Sequence, residues 1–325
     1  MNCLHAPESP NPRHTPSARI PAGFALAALG CLVVISLPAS ANDVPPLVKE
    51  RGYQLFFMDD FKGSGLDVSK WDNRGYASLL GDDGSTNDGF NRELQWYRPE
   101  QASVKDGRLL LTLEKREYVA RRVKADDPRF THLPSKEGHP AFPYVSGAVS
   151  TKNKVAFSPP CYIEVEARVP GGVKGTWPAI WLLPEPDGWP PEIDILEHVG
   201  AKEWPGNEGL TEEDNLYCNV HWRKTDGTIG SGPFGHLRVP GLPKGFHKFA
   251  VHWTPDRVTF YFDDKEWHTL SNTSEKKIPD IPCYLILNLA CGGNWPGSPE
   301  NASEAKLPVA FEIERVRAWK ENEQK

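Results

Sequence analysis

The six residues Glu192-Ile193-Asp194-Ile195-Leu196-Glu197, entered from Pro191 and followed by His198, constrain this chain more than any other stretch. Three carboxylates are separated by large aliphatic side chains, a spacing that favours a buried strand. A strand turns Glu192 and Asp194 to one face because its side-chain period is two. Glu197 joins that face only if one extra residue is accommodated between Asp194 and Glu197, which is a β-bulge. Acids crowded on one face of an apolar strand repel each other and lose hydration, so at least one pKa is driven upward. Cleavage of a glycosidic bond with retention needs such an arrangement. One ionised carboxylate attacks the anomeric carbon and a protonated one releases the leaving sugar, the two lying roughly 5–5.5 Å apart. In a flat strand, α-carbons four rungs apart are about 13 Å from each other. The strand must therefore curve until the side chains converge over a concave face. An amphipathic strand whose acids merely face water would share the pattern, and the rest of the chain has to decide.

A chain of 325 residues holds one large β domain or two small domains. Its net charge of -6 gives no electrostatic footprint for nucleic acid, whereas a neutral polysaccharide is a comfortable partner. All 11 Trp lie after residue 70, and indole rings stack on the apolar faces of sugars as readily as they build cores. Residues 1–41 read as an export signal. Arg13, His14 and Arg19 precede the apolar run Ala22 to Leu37, and Ala39-Ser40-Ala41 supplies the small-residue cleavage site. That run is short for a membrane span, so the mature chain, residues 42–325, is expected to be exported to the periplasm or the medium without a spanning segment. A lipoprotein site at Leu29-Gly30-Cys31 is opposed by the apolar sequence that continues past it. Export leaves Cys161, Cys218, Cys283 and Cys291, which allow three pairings or buried free thiols.

After residue 41 no long segment holds a 3.6-residue apolar period. Short strand-like runs recur instead, among them Tyr53–Met58, Arg108–Leu113, Tyr162–Val169, Ala179–Leu183, Leu216–Trp222, His247–Trp253, Val258–Phe262, Tyr284–Leu289 and Phe311–Trp319. Gly, Pro, Asp and Asn clusters separate them, which predicts an all-β, antiparallel sandwich or barrel. Two polar insertions, Lys115–Tyr144 and Ala201–Asn215, read as surface loops.

The acid-bearing stretch resembles the E-x-D-x-x-E motif of glycoside hydrolase family 16 in its bulged form. Phe57-Met58-Asp59-Asp60-Phe61, Asn91-Arg92-Glu93-Leu94-Gln95-Trp96-Tyr97, Trp177-Pro178-Ala179-Ile180-Trp181 and Gly292-Gly293-Asn294-Trp295-Pro296-Gly297 extend the resemblance across nearly all of the mature chain. The last of these is most similar to laminarinase-like members. The resemblance implies a β-jelly-roll sandwich of two antiparallel sheets with a concave substrate cleft. It makes Glu192 the nucleophile, Glu197 the general acid and then base, and Asp194 the carboxylate between them.

The resemblance also places the face shared by Trp177 and Trp181 in the cleft and sets His221 where the family often has a His near it, core packing being the alternative for all three. Asn91 and Arg92 read as hydrogen-bond partners of sugar hydroxyls or as a solvated loop tip, and Trp295 as a stacking platform or a lid on the core. His198 should face away from Glu197 and be structural. No cofactor is implied for the chemistry, but a structural calcium is, with ligands at Asp60, the Gly107 carbonyl and Glu314; oxygen donors suit that ion. The implied substrate is a β-1,3-glucan or mixed β-1,3/1,4-glucan, and the chain is expected to act as a monomer. A galactan hydrolase acting on agar, porphyran or carrageenan is the nearest rival. The Pro184–Pro191 segment and the basic residues Arg116, Arg121, Arg122 and Lys124 keep it open. A non-catalytic carbohydrate-binding protein on the same scaffold and a transglycosylase are the others.

Overall fold

The computed structural model describes residues 43–74, 91–185, 188–200, 214–299 and 301–322. The export signal and most of the 201–215 insertion lie outside these residues. The described chain is almost entirely strand, folded as two antiparallel sheets, one of eight strands and one of seven. The order across the first is Lys265–Ser271, Arg257–Phe262, His247–Thr254, Cys161–Arg168, Val309–Lys320, Arg108–Leu113 and Ala102–Lys105. Gln54–Asp59 pairs with the C-terminal half of Val309–Lys320. The order across the second is Ile229–Ser231, Asn215–Arg223, Glu192–Glu197, Thr176–Pro184, Cys283–Cys291 and Ala148–Ser150, with Gly235–Arg238 also paired to Asn215–Arg223. This is the expected jelly-roll sandwich.

Alternation builds the core. Ile163, Val165 and Ala167 from one sheet, and Ile180, Leu182, Ile193, Val220, Leu285, Leu287 and Leu289 from the other, all lie buried in a single apolar cluster. Sequestering that many aliphatic side chains, at roughly 25 cal/mol per Å² of apolar surface, fixes which face of each strand turns outward. The residues between them on the seven-stranded sheet are thereby delivered to its other face, and the three acids lie there.

The insertion 115–144 is not a loose surface loop. It contains the strands Tyr118–Val119, Ser135–Lys136 and His139–Phe142. Ala120, Val123, Phe130, Leu133 and Phe142 close around Trp96 as a small second core. Trp96 stacks on Tyr118 with centroids 5.3 Å apart. Polar composition concealed this, because five apolar side chains suffice when a Trp from outside the insertion completes the cluster.

The four cysteines of the described chain are free and buried. No described helix is long and apolar enough to cross a membrane.

Candidate active site

The bulge expected from the acid spacing is present. In the pairing of Glu192–Glu197 with Asn215–Arg223 the register shifts between Asp194 and Glu197, and it shifts at the matching place against Thr176–Pro184. Ile195 and Leu196, adjacent in sequence, are 2% and 0% exposed and both belong to the sandwich core. Two consecutive side chains pointing inward are what a bulge permits, and their joint burial turns Glu197 back to the face of Glu192 and Asp194.

Register then sets each acid's neighbours. His221 lies opposite Glu192, Asn219 opposite Asp194 and Tyr217 opposite Glu197. On the other side Trp181 is opposite Asp194, and the small Ala179 is opposite Glu197. His221 Nε2 is 3.5 Å from Glu192 Oε1 and 3.4 Å from Asp194 Oδ2. Trp189 Nε1 donates to Glu192 Oε2 at 2.8 Å, and Trp177 Nε1 donates to Glu197 Oε1 at 3.1 Å. Asp194 is 3% exposed, and its Oδ2 has no hydrogen-bond partner.

Burial, with each acid's charge acting on the next, pushes all three carboxyl groups upward. Glu192 is raised well above the usual carboxylate range by desolvation and then by Asp194, a rise opposed by His221 and the Trp189 N–H. Asp194 is raised well above it too, by desolvation and then by Glu197. Glu197 is pushed up to about 8 by desolvation and then by Glu192. At neutral pH Glu197 therefore holds a proton, while the donors around Glu192 favour its ionised form.

The other predicted positions divide. Trp181 donates from Nε1 to Asn288 Oδ1 at 2.7 Å, and Asn288 Nδ2 donates to Tyr97 Oη at 3.0 Å, so a buried chain fixes the indole. Trp295 packs edge-on against Trp177 and Tyr217, with centroids 5.4 and 5.2 Å away. Its loop is seated by Gly293, at φ 99°, where a Cβ would come within 2.6 Å of the Asn91 carbonyl oxygen. The Asn294 N–H donates to that same oxygen at 2.9 Å. Asn91 thus braces the Trp295 loop through its backbone, and Arg92 beside it is exposed. His198 is fully buried away from the acids, with Nδ1 2.8 Å from the Asn215 carbonyl oxygen; burial lowers it to about 4. Trp189, Tyr217, Asn219 and Asn288 were not singled out from the sequence. The signal was there for Trp189, an aromatic within three residues of an acid, and absent for the others, whose roles depend on register.

Two groups bear on metals. Glu192, Asp194 and His221 bring ligand atoms within 4.8 Å of one another, a set that could hold a metal ion. Asp60, Gly107 and Glu314 are scattered in sequence. Register nevertheless sets Glu314 next to Ile313, the partner of Leu109, and sets Asp60 next to Asp59, the partner of Val316. Two carboxylates and a carbonyl are hard donors, although Lys62 Nζ already lies 3.1 Å from Asp60.

Residues 90–312 match the family described as glycosyl hydrolases family 16. The chain belongs to that family. It is 30% identical over 291 residues to the β-glucanase of Rhodothermus marinus, covering 84% of this chain and 87% of that protein. The structure is similar to the laminarinase catalytic domain of Thermotoga maritima, with a TM-score of 0.63 at 26% identity, covering 83% of this chain and 99% of that one. It is also 29% identical to the keratan-sulfate endo-1,4-β-galactosidase of Sphingobacterium multivorum, over 84% of this chain but only 56% of that protein. As a family 16 member with its acid triplet intact, this chain is a glycoside hydrolase, and the reading as a mere binding protein falls away.

Proposed function

We propose that this protein is an exported, retaining endo-hydrolase of β-1,3-glucan or mixed β-1,3/1,4-glucan, with residues 42–325 as its catalytic domain and residues 1–41 as its export signal. The observation that carries the chemistry is the bulge-gathered triplet, with the Glu197 carboxyl pushed up to about 8 by burial and by Glu192, and with donors directed at Glu192. Glu192 attacks the anomeric carbon as the bond to the leaving oxygen breaks, and that oxygen takes the Glu197 proton. Water then attacks the same carbon, returns a proton to Glu197 and releases the Glu192 carboxylate. Asp194, between them, lets a proton be shared on the Glu192 side while Glu197 keeps its own. Trp177, Trp181 and Trp295 supply aromatic surface for pyranose rings, with His221, Asn91 and Arg92 as polar contacts.

The glucan assignment rests on the R. marinus and T. maritima relatives. The S. multivorum relative, named for cleaving keratan sulfate at β-1,4-galactosidic bonds, favours a galactoside-containing polysaccharide instead. The basic residues of the 115–144 lobe give that reading less support than their sequence did: Arg116 pairs with Glu100 and Glu114, and Arg121 with Glu137. Reducing-end release from laminarin, lichenan, agar, porphyran and carrageenan, with Glu192→Gln as the blank, tests the choice. Release from laminarin or lichenan is expected; release from galactans alone would keep the mechanism and overturn the substrate.

We also read Asp60, Gly107 and Glu314 as ligands of a structural calcium, and the Glu192, Asp194 and His221 trio as a proton network. Dialysis against excess EDTA is then expected to lower the melting temperature by several degrees, since a ligand bound only to the folded state stabilises it by mass action, while turnover at 25 °C is unchanged. An unmoved melting temperature would remove the calcium. Turnover lost and restored only by a transition metal would make the trio a metal site.

A further inference from the structure

The stretch leading into the acid strand, Gly188-Trp189-Pro190-Pro191, reaches the site by a route the catalytic scheme does not use. Trp189 turns its indole over the start of the strand, with its ring centroid 6.0 Å from that of His221, and its Nε1–H donates to Glu192 Oε2 at 2.8 Å. The backbone behind it is held from the neighbouring strand, where Arg223 Nη2 donates to the Trp189 carbonyl at 2.8 Å. Arg223 is itself fixed through Nη1 to the Gly227 carbonyl at 3.1 Å. Pro190 and Pro191 fill the gap between Trp189 and Glu192, and each locks its φ near −65°, so the tether is short and stiff.

An indole N–H is a donor with no acceptor capacity. It bonds best to a bare carboxylate oxygen and disfavours a proton on that oxygen. Glu192 needs such a partner, because its surroundings are otherwise hostile to charge: it is half-buried, loses hydration and faces Asp194. His221 is shared with Asp194, at nearly equal distances from both acids. The N–H on Oε2 therefore directs any proton shared between Glu192 and Asp194 to the Oε1 side, and it fixes the rotation of the carboxylate plane.

We propose that Trp189 is a positioning residue for the nucleophile: its indole N–H, anchored by Arg223 through the Trp189 carbonyl, fixes the orientation of the Glu192 carboxylate and favours its ionised form. This rests on the assignment of Glu192 as nucleophile. Trp189→Phe keeps an aromatic ring and deletes the N–H. The substrate to use is the dinitrophenyl β-glycoside of the disaccharide released from the best polysaccharide of the panel, because its good leaving group makes little demand on Glu197.

The acidic limb of kcat/KM is expected to move to higher pH by about 0.5–1.5 units, as follows from losing one charge-assisted hydrogen bond. At pH 6 kcat should fall by roughly 10–100-fold, with KM changed less than about threefold. Arg223→Gln, which leaves the indole in place but frees its backbone, should move the limb in the same direction by less. A KM rise with an unmoved limb would make Trp189 a sugar platform and overturn the proposal, as would a lowered melting temperature with normal pH dependence in both variants. Glu192→Gln, assayed beside them, separates the two levels. If it is active, the nucleophile assignment is wrong; if it is inactive while the Trp189→Phe limb is unmoved, only the positioning role is.

Discussion

Glu192→Gln is expected to fold and to lose turnover at least about a thousandfold, equivalent to ~4 kcal/mol of barrier. The amide is nearly isosteric, and its carbonyl oxygen still accepts the Trp189 N–H, but it cannot attack an anomeric carbon. The substitution also removes one of three mutually repelling, desolvated acids, so the variant should melt no lower than the parent. Trimming further to Glu192→Ala opens a hole beside His221. Azide admitted there attacks from the face the carboxylate used, and a single displacement leaves a glycosyl azide of inverted configuration. Polarimetry or NMR of the rescued product reads that configuration directly. Rescue with retained configuration would assign Glu192 to the other role, and unimpaired turnover in Glu192→Gln would remove it from the chemistry.

The second large effect belongs to Glu197. Glu197→Gln is expected to lose roughly 10²–10⁴-fold on polysaccharide, the usual contribution of a general acid. Much less should be lost in the first, glycosyl-transferring step on a dinitrophenyl glycoside, whose leaving group departs unprotonated. In the parent enzyme the basic limb of kcat/KM should fall as Glu197 titrates at about 8, and in the variant that limb should disappear.

Stability moves in the opposite sense. Glu197 has a folded pKa raised above its unfolded value near 4.5, so the folded state binds the extra proton. Stability is then full below about pH 4.5 and declines as pH rises towards 8. The neutral amide escapes that decline. The melting temperature of Glu197→Gln should exceed the parent's by more at pH 8 than at pH 5, and thermal melts at the two values check it. An equal gap at both would mean that Glu197 is not held protonated by the fold.

The site was legible to the extent that it follows from strand alternation. The sequence Glu-Ile-Asp-Ile-Leu-Glu implied the bulge because apolar side chains must go inward, and Ile195 and Leu196 both do. Trp177 and Trp181, four apart, reach the acid face for the same reason. What a single strand cannot reveal is its neighbours. Asn219 opposite Asp194 and Asn288 beneath Trp181 are set by register between strands distant in the chain. Strand Lys265–Ser271 escaped notice because it lies at a sheet edge, where exposure blurs the apolar alternation. The 115–144 lobe escaped because its core is completed by Trp96, from outside it.

Because Glu192 and Glu197 share one unbroken backbone, their spacing does not depend on how loops or layers settle against each other. Deleting one residue of the Ile195-Leu196 pair would remove the bulge, yet it would leave the last acid four positions after Glu192 and so on the same face of a regular strand. With the extra residue or without it the acids share one face, so changes within this strand keep them on one side of the cleft rather than opening the separation of about 6.5–9.5 Å that inversion requires. Divergence on this scaffold is channelled into the rim, where aromatic and loop residues can be exchanged and new sugars recruited while the stereochemical outcome stays locked.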